Sequence, residues 1–297
     1  LLEILLQDKT TKKNIIWATD DYAELGERYS FQKEILPELV TGEQDSLIQP
    51  RVEKALEHQT NRTRDKAEVF TPSWICNAQN NLVDEQWFGR KDVFNIQKEM
   101  SWKATADKIT FPDDRQHTWQ KYVDAQRLEI SCGEAPYLVS RYDTVTGETI
   151  PISQRIGLLD RKLRVVSENT DTEEEWFTWT KRAFQSVYGF EYQGDSLLLA
   201  RENLFVTFVE VYRERFGKLP HLRQMKVIAN IIAWNLWQMD GIKYVVPGSC
   251  RENKIEIISW FGSEEQIDLC PGCKSGNIRA HNGIYSIIKD WRSNQTM

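Results

Sequence analysis

The sequence predicts an α/β fold, in which strands alternate with helices around an open sheet. Three stretches lead to this prediction. Residues 127 to 138 have the pattern of a short apolar strand, a tight turn at Gly133 and the start of a helix. Residues 186 to 191 resemble a strand that ends in a carboxylate, and the Leu- and Ala-rich residues 194 to 205 suit a helix after it. Residues 222 to 239 carry apolar side chains at helical spacing.

The order of these stretches divides the chain of 297 residues into three parts. Residues 1–65 have amphipathic spacing and predict a mostly helical N-terminal cap. Residues 66–245 form the predicted α/β core, with insertions at about 92–126 and 142–185. The second insertion is expected to hold a hairpin from Tyr142 to Leu159 and a helix from Glu173 to Gln185. Residues 246–297 form a tail that contains a Cys-x-x-Cys motif.

Composition narrows the functional classes. The net charge of −6 argues against a whole surface built to bind DNA, although two local basic runs remain candidates for phosphate contacts. These runs are Arg51, Lys54, Arg62, Arg64 and Lys66, and then Arg161, Lys162 and Arg164. No segment approaches the roughly 20 apolar residues of a membrane span, and the first residues lack the order of a signal peptide. The chain is therefore expected to contact no membrane. Its five cysteines, an odd number, fit a reducing compartment better than a set of disulfides, so the chain is expected to be cytoplasmic.

The first candidate site segment is Phe70-Thr71-Pro72. Thr71 suits the N-cap of a helix and Pro72 suits its first position, so that residues 73 to 82 can continue as helix. An ordinary capped helix would explain this segment if it stood alone.

The second segment is the turn that contains Glu129, Cys132, Gly133 and Glu134. Glycine lets the backbone come close to a ligand, and open α/β sheets bind cofactors at the carboxyl ends of their strands. The turn is therefore expected to line a nucleotide-type site, with a generic corner between strand and helix as the alternative.

Both segments resemble those of the S-adenosylmethionine-dependent DNA amino-methyltransferases, which methylate the exocyclic amine of adenine. Phe70-Thr71-Pro72 is similar to the family segment that lies over the methionine end of the cofactor. Residues 129 to 135 are similar to the family turn acidic-Pro-x-Cys-Gly-x-Gly, with Ile130 in place of the proline and Ala135 in place of the second glycine. The resemblance implies a Rossmann-like methyltransferase sheet with helices on both faces.

The same resemblance assigns roles to three carboxylates. Glu129 would face the amino group of S-adenosylmethionine, Glu191 would bind its ribose, and Asp240 would reach its adenine. Asp160 is a rival for the ribose, because it stands 160 − 133 = 27 residues after Gly133, nearer to the roughly 20 of dinucleotide sites. For Asp240 the alternative is a single amphipathic helix over residues 222 to 239.

The catalytic signature of the family, a polar residue followed by Pro-Pro and an aromatic residue, is missing, because the chain has no Pro-Pro pair. Catalytic residues therefore stay unassigned. The resemblance implies a DNA adenine methyltransferase, or the M subunit of a restriction-modification system, with double-stranded DNA and a specificity or restriction subunit as partners. The alternative is a catalytically inactive, methyltransferase-like subunit that binds DNA or cofactor.

Cys270-Pro271-Gly272-Cys273 has the spacing of a zinc knuckle, since a two-residue gap lets both thiolates meet one ion. A complete site needs four ligands, and Cys250 and His281 are the nearby candidates. The sequence favours unligated thiols here and leaves structural zinc and a redox pair as the alternatives, so no metal site is predicted.

Overall fold

The computed structural model describes residues 1–42, 46–53, 71–259 and 262–297. Within these ranges the α-helices are α1 Leu2–Leu6, α2 Ser73–Phe88, α3 Trp119–Asp124, α4 Leu158–Asn169, α5 Glu173–Gln185, α6 Gly194–Phe216, α7 Leu222–Asn235 and α8 Pro271–Ser275. The strands are β1 Asn95–Lys98, β2 Ser101–Ala104, β3 Arg127–Ile130, β4 Val187–Glu191, β5 Leu236–Gln238, β6 Asn253–Ser259, β7 Gly262–Asp268, β8 Lys289–Asp290 and β9 Gln295–Thr296. Phe70 and the basic residues Lys54, Arg62, Arg64 and Lys66 lie outside the described residues.

The predicted α/β class is confirmed, for the described residues, at the level of a three-stranded parallel sheet with helices packed against it. Its order is β3-β4-β5, so that β4 lies in the middle. The remaining strands pair as three small antiparallel hairpins, β1 with β2, β6 with β7 and β8 with β9. The described residues therefore do not show the full sheet of a Rossmann-like fold.

The two faces of the parallel sheet are covered differently. Val187 and Leu236 belong to the main core, where α5, α6 and α7 pack against the strands. On the opposite face, Tyr188, Phe190, Trp237 and Met239 form a small cluster against Ile288 and Trp291 of the C-terminal tail. The expectation of helices on both faces is thus not met by the packing around this cluster.

The prediction of a helix directly after Gly133 is wrong. Residues 134 to 139 form turns and irregular chain, and the next α-helix, α4, begins at Leu158, after a 3₁₀ turn at Ile152–Gln154. Ala135 adopts a left-handed φ of +62°, and Pro136 disfavours a helical conformation in the residue before it. By contrast, the predicted helix Glu173–Gln185 is confirmed as α5.

The mostly helical N-terminal cap is also wrong for the described part of that segment. Residues 1–42 and 46–53 contain one α-helix of five residues, α1, and otherwise short 3₁₀ turns and extended chain. Ile15, Trp17 and Ile35 are buried in the main core. The amphipathic spacing therefore reflects extended chain and turns that pack against the core.

Two of the three basic residues of the run in α4 are buried, which excludes Arg161 and Lys162 as phosphate contacts, whereas Arg164 is partly exposed. The Arg161 guanidinium is 1% exposed and forms an ion pair with the Asp84 carboxylate. The Lys162 ammonium is equally buried and donates to the carbonyl oxygen of Val123 and to the Ser186 hydroxyl. Both basic residues hold α4 to its neighbours.

Candidate functional site

A cavity of about 840 Å³ opens at the carboxyl ends of β3 and β4, within the size range of ligand pockets. Its lining comes from β3 and the turn after it, the end of β4, the start of α6, the first residue of α4, and one side of α2 with Thr71 just before it. The lining residues are Thr71, Gln79, Asn80, Val83, Leu128, Glu129, Ile130, Ser131, Cys132, Gly133, Glu134, Pro136, Tyr137, Leu158, Glu191, Tyr192, Gln193 and Ser196.

The turn after β3 has an unusual backbone. Ser131, Gly133 and Ala135 all have positive φ, at +48°, +52° and +62°. Only glycine adopts this region without cost, so the chain is strained at two of the three positions. Ala135 stands where the resembling family has its second glycine, and it takes the left-handed conformation that a glycine there would favour.

Hydrogen bonds from neighbouring elements hold this turn. The Cys132 N–H donates to the Phe190 carbonyl oxygen at 2.9 Å and so extends the pairing of β3 with β4. From α6, the Asn203 side-chain amide donates to the Glu134 carbonyl oxygen at 3.0 Å and to the Tyr142 hydroxyl at 3.0 Å. The Tyr142 hydroxyl in turn donates to the Glu134 carboxylate. The strained backbone is therefore fixed by surrounding side chains.

Glu191 ends β4 and accepts three backbone hydrogen bonds. The Gly133 N–H donates to its Oε2 at 2.8 Å, while the Tyr192 and Gln193 N–H groups donate to its Oε1 at 2.8 and 3.3 Å. Burial raises the pKa of the Glu191 carboxyl, and these N–H donors oppose the rise. The carboxylate is thus fixed beside the glycine turn, with its remaining lone pairs available to a ligand.

Glu129 is a buried carboxyl at the edge of the cavity. It is 8% exposed and accepts the Tyr137 N–H at 3.3 Å and the Leu138 N–H at 3.2 Å. Burial raises its pKa to about 8; the two N–H donors oppose the rise and the nearby Glu191 adds to it. Such a carboxyl is mostly neutral near pH 7 and would ionise when a cation binds beside it.

The sulfur of Cys132 lies under the turn and has no sign of nucleophilic activation. Burial raises the pKa of the Cys132 thiol well above its ordinary value, with Glu129 and Glu191 adding to the rise. A thiol of this kind stays protonated and acts as a small apolar group. The Cys132 side chain therefore helps to shape the cavity wall and does not act as a nucleophile.

The wall opposite the turn was not foreseen from the sequence. Gln79 and Val83 are four residues apart on α2 and share a helix face with Asn80. The Asn80 amide donates to the carbonyl oxygens of Tyr137 and Ile156, both at 3.0 Å, and so ties α2 to the segment after the turn. The spacing of these residues along a helix that follows Thr71 is the signal that could have identified the wall.

The start of α2 differs from the predicted cap. Pro72 occupies the N-cap position, and Thr71 precedes it and makes no side-chain cap. The Asp143 carboxylate caps this end of the helix instead, because it accepts the Ser73 N–H at 2.9 Å. The Thr144 hydroxyl donates to the Thr71 carbonyl oxygen at 3.0 Å, which holds Thr71 at the cavity.

The cavity brings together six of the predicted site residues. Thr71, Glu129, Cys132, Gly133, Glu134 and Glu191 line it. Pro72 adjoins the lining as the N-cap of α2, Phe70 lies outside the described residues, and Asp240 is not among the lining residues.

Asp240 and Asp160 have local structural contacts. Asp240 follows β5 and accepts the N–H groups of Ile242 and Lys243 at 3.0 and 3.1 Å, which closes a turn. Asp160 lies in the first turn of α4 and accepts the Ser140 N–H at 2.8 Å and the Gly157 N–H at 3.1 Å. Asp160 thus lies within a helix and does not end a strand, and of the two ribose candidates only Glu191 borders the cavity.

Comparison with family models, curated proteins and solved structures finds no match to this chain. Among the described residues, none of the helices combines the length and apolar character needed to cross a membrane.

Proposed function

We propose that this chain is an S-adenosylmethionine-dependent methyltransferase module that acts on the exocyclic amine of adenine in double-stranded DNA, alone or as the M subunit of a restriction-modification system. One observation carries the proposal. Three segments far apart in the sequence, at Thr71, at Gly133 and at Glu191, border a single cavity at the carboxyl ends of parallel strands. That edge is where open α/β sheets bind nucleotide cofactors.

The charge of the lining supports a cationic ligand. Glu129, Glu134 and Glu191 all border the cavity, whereas no Lys or Arg is found among the lining residues that the structure describes. S-adenosylmethionine carries a positive sulfonium and a positive amino group, and an acidic lining favours both. A cavity lined in this way is poorly suited to phosphate groups, which argues against a dinucleotide or a nucleoside triphosphate.

The positions of the carboxylates suggest how the cofactor would be held. Glu191, beside the glycine turn at the end of the middle strand, would accept the ribose hydroxyls. Glu129, near the end of β3, would face the amino group of the methionine end of the cofactor. Thr71 and the α2 wall of Gln79 and Val83 would enclose the opposite side.

When bound, the cofactor supplies an electrophilic methyl group, which the adenine amine attacks in line. The chain's own part would be to position the two groups, since proximity and orientation account for much of such a rate enhancement. No Pro-Pro tetrad is present to hold the amine, so the residues that contact the base stay unassigned.

That missing tetrad favours a second candidate, a methyltransferase-like subunit that binds cofactor or DNA without transferring the methyl group. Leu128 and Ile130 on β3 border the cavity and are still 57% and 68% exposed, and exposed apolar side chains of this kind suit a protein partner that docks beside the cavity. On this reading a partner subunit would carry out the transfer.

Incubation of the purified chain with S-adenosylmethionine labelled with tritium in the methyl group, and with mixed double-stranded DNA, separates the two candidates. If the chain is an active enzyme, label should appear in N6-methyladenine. The amount of label should fall by about 10-fold or more in Glu191→Gln. It should be retained in the control Glu174→Gln, whose side chain is exposed and is not part of the cavity lining. Cofactor binding without label in DNA would exclude an enzyme that acts alone and would favour the second candidate. If the chain binds neither S-adenosylmethionine nor DNA and transfers no label, both candidates are contradicted.

A further inference from the structure

Four potential metal ligands meet in the C-terminal tail, away from the cavity. The thiol sulfurs of Cys250, Cys270 and Cys273 and the imidazole of His281 all lie within 4.8 Å of one another. Cys250 precedes the β6–β7 hairpin, Cys270 and Cys273 follow it, and His281 lies in the loop beyond α8. The cluster is thus assembled by the fold from three separate places in the chain.

The distances match a tetrahedral ion. The Nδ1 atom of His281 lies 3.6 Å from the Cys250 sulfur, 3.5 Å from the Cys270 sulfur and 3.7 Å from the Cys273 sulfur. Zinc bonds of about 2.3 Å to sulfur and about 2.0 to 2.1 Å to nitrogen place tetrahedral sulfur and nitrogen ligands about 3.6 Å apart. Three nearly equal distances to one nitrogen are what a shared central ion produces.

Hydrogen bonding alone does not account for this arrangement. A neutral imidazole nitrogen carries either one proton or one lone pair in the ring plane, so it makes one well-directed hydrogen bond. Here three sulfurs surround the same Nδ1 atom at hydrogen-bond distance for sulfur. A metal ion that accepts the Nδ1 lone pair and the three thiolates satisfies all four groups.

We propose that Cys250, Cys270, Cys273 and His281 bind one zinc ion in a closed, structural site. Four protein ligands complete the tetrahedron and leave no position for a substrate or an activated water. The sequence prediction of unligated thiols at the Cys-x-x-Cys motif is replaced by this proposal.

The surrounding backbone is shaped around the cluster. A Cβ atom at Gly272, inside the Cys-x-x-Cys loop, would lie 2.5 Å from Nδ1 and 2.6 Å from the backbone nitrogen of His281, so only glycine lets the imidazole come this close. The Asn282 N–H donates to the Cys270 sulfur at 3.2 Å. Hydrogen bonds of this type orient thiolate ligands and stabilise their charge.

The ion would fasten the base of the hairpin to the rest of the chain. Cys250 stands just before β6 and Cys270 just after β7, so one ion would join both ends of the hairpin. The His281 loop continues into Ile284, whose carbonyl oxygen accepts the Val246 N–H at 2.8 Å. Zinc would therefore order the tail against the segment that follows β5.

The test measures the metal directly and does not depend on any activity. Protein produced with added zinc should contain one zinc per chain by elemental analysis, and its Co²⁺ derivative should show the intense visible bands of tetrahedral cobalt together with thiolate-to-metal charge transfer. Zinc should also protect the exposed Cys273 from alkylation. Substoichiometric zinc, an octahedral cobalt spectrum, or a Cys270–Cys273 disulfide that forms as readily with zinc as without it would overturn the proposal.

Matched variants localise the ion. Cys273→Ser and His281→Asn should each lower zinc affinity by more than about 100-fold. Cys76→Ala and His221→Asn change the same residue types outside the cluster and should retain one zinc per chain. If a ligand variant fails to fold, the cobalt spectrum and the alkylation of the wild-type chain still decide the question.

Discussion

The backbone N–H of Gly133 donates a 2.8 Å hydrogen bond to Oε2 of Glu191, across 58 residues of sequence. This bond joins the turn after β3 to the end of β4, two strands that are parallel neighbours. The carboxylate proposed to bind the ribose therefore also shapes the turn that would accommodate the cofactor. On this proposal, Glu191 would both hold the turn after β3 in place and bind the cofactor's ribose.

Replacement of Glu191 by alanine should destabilise the fold. The N–H groups of Gly133, Tyr192 and Gln193 would all lose their acceptor, and the loss of hydrogen bonds by partly buried donors should lower the free energy of unfolding by about 1 to 3 kcal/mol. Urea denaturation measures the difference. Glu174→Ala, at an exposed position in α5, is the control, and equal stabilities of the two variants would contradict the structural role of Glu191.

Glu129 should make stability depend on pH. Its pKa is raised from 4.5 to about 8 in the folded chain, so folding takes up a proton between these values. The stabilisation is complete below about pH 4.5 and is lost as the pH rises through about 8. Glu129→Gln removes this proton uptake, so the stability of the variant relative to wild type should increase by about 2 kcal/mol or more between about pH 5 and about pH 9.

Urea denaturation at several pH values provides the measurement, with Glu174→Gln as the control that should follow the wild-type curve. Parallel curves for wild type and Glu129→Gln would show that the Glu129 pKa is unperturbed in the folded chain.

The buried ion pair of Asp84 with Arg161 should be costly to break from one side. Both side chains are nearly inaccessible, and Arg161 also donates to the side-chain oxygens of Asn77 and Asn81 at 2.8 Å. Asp84→Ala would leave a buried guanidinium without its counter-charge, which should lower stability by about 3 to 5 kcal/mol.

The double variant Asp84→Leu/Arg161→Met removes both charges and should recover much of that loss, as thermal and urea denaturation would show. An equal loss of stability in the single and double variants would contradict the importance of the unpaired charge. Glu27→Ala, which breaks the exposed pair with Lys33, should leave stability unchanged.

The sequence predicted the parts of the fold that depend on local pattern. The helix Glu173–Gln185 and the strand ending at Glu191 are confirmed, because the acidic first turn and the apolar run are strong local signals. The helix after Gly133 and the helical N-terminal cap failed. In both cases tertiary contacts and backbone conformation, such as the positive φ of Ala135, outweighed local preference.

The candidate site was predicted in part for a similar reason. The turn around Gly133 and the strand-terminal Glu191 carry short motifs that are visible in sequence. The α2 wall of Gln79, Asn80 and Val83 follows from helix packing across the sheet edge and has no motif of its own. The fourth zinc ligand, His281, was visible as a candidate, but its convergence with Cys250 depends on chain folding between them.

Calorimetric titration with S-adenosylmethionine, S-adenosylhomocysteine and adenosine tests the central claim most directly. The account predicts that wild type binds all three, and that Glu191→Gln weakens the binding of all three because they share the ribose. Glu129→Gln should weaken the first two by about 10-fold or more and leave adenosine unchanged, because only the first two carry the amino group. No heat with S-adenosylmethionine, and no competition from S-adenosylhomocysteine, would contradict the account.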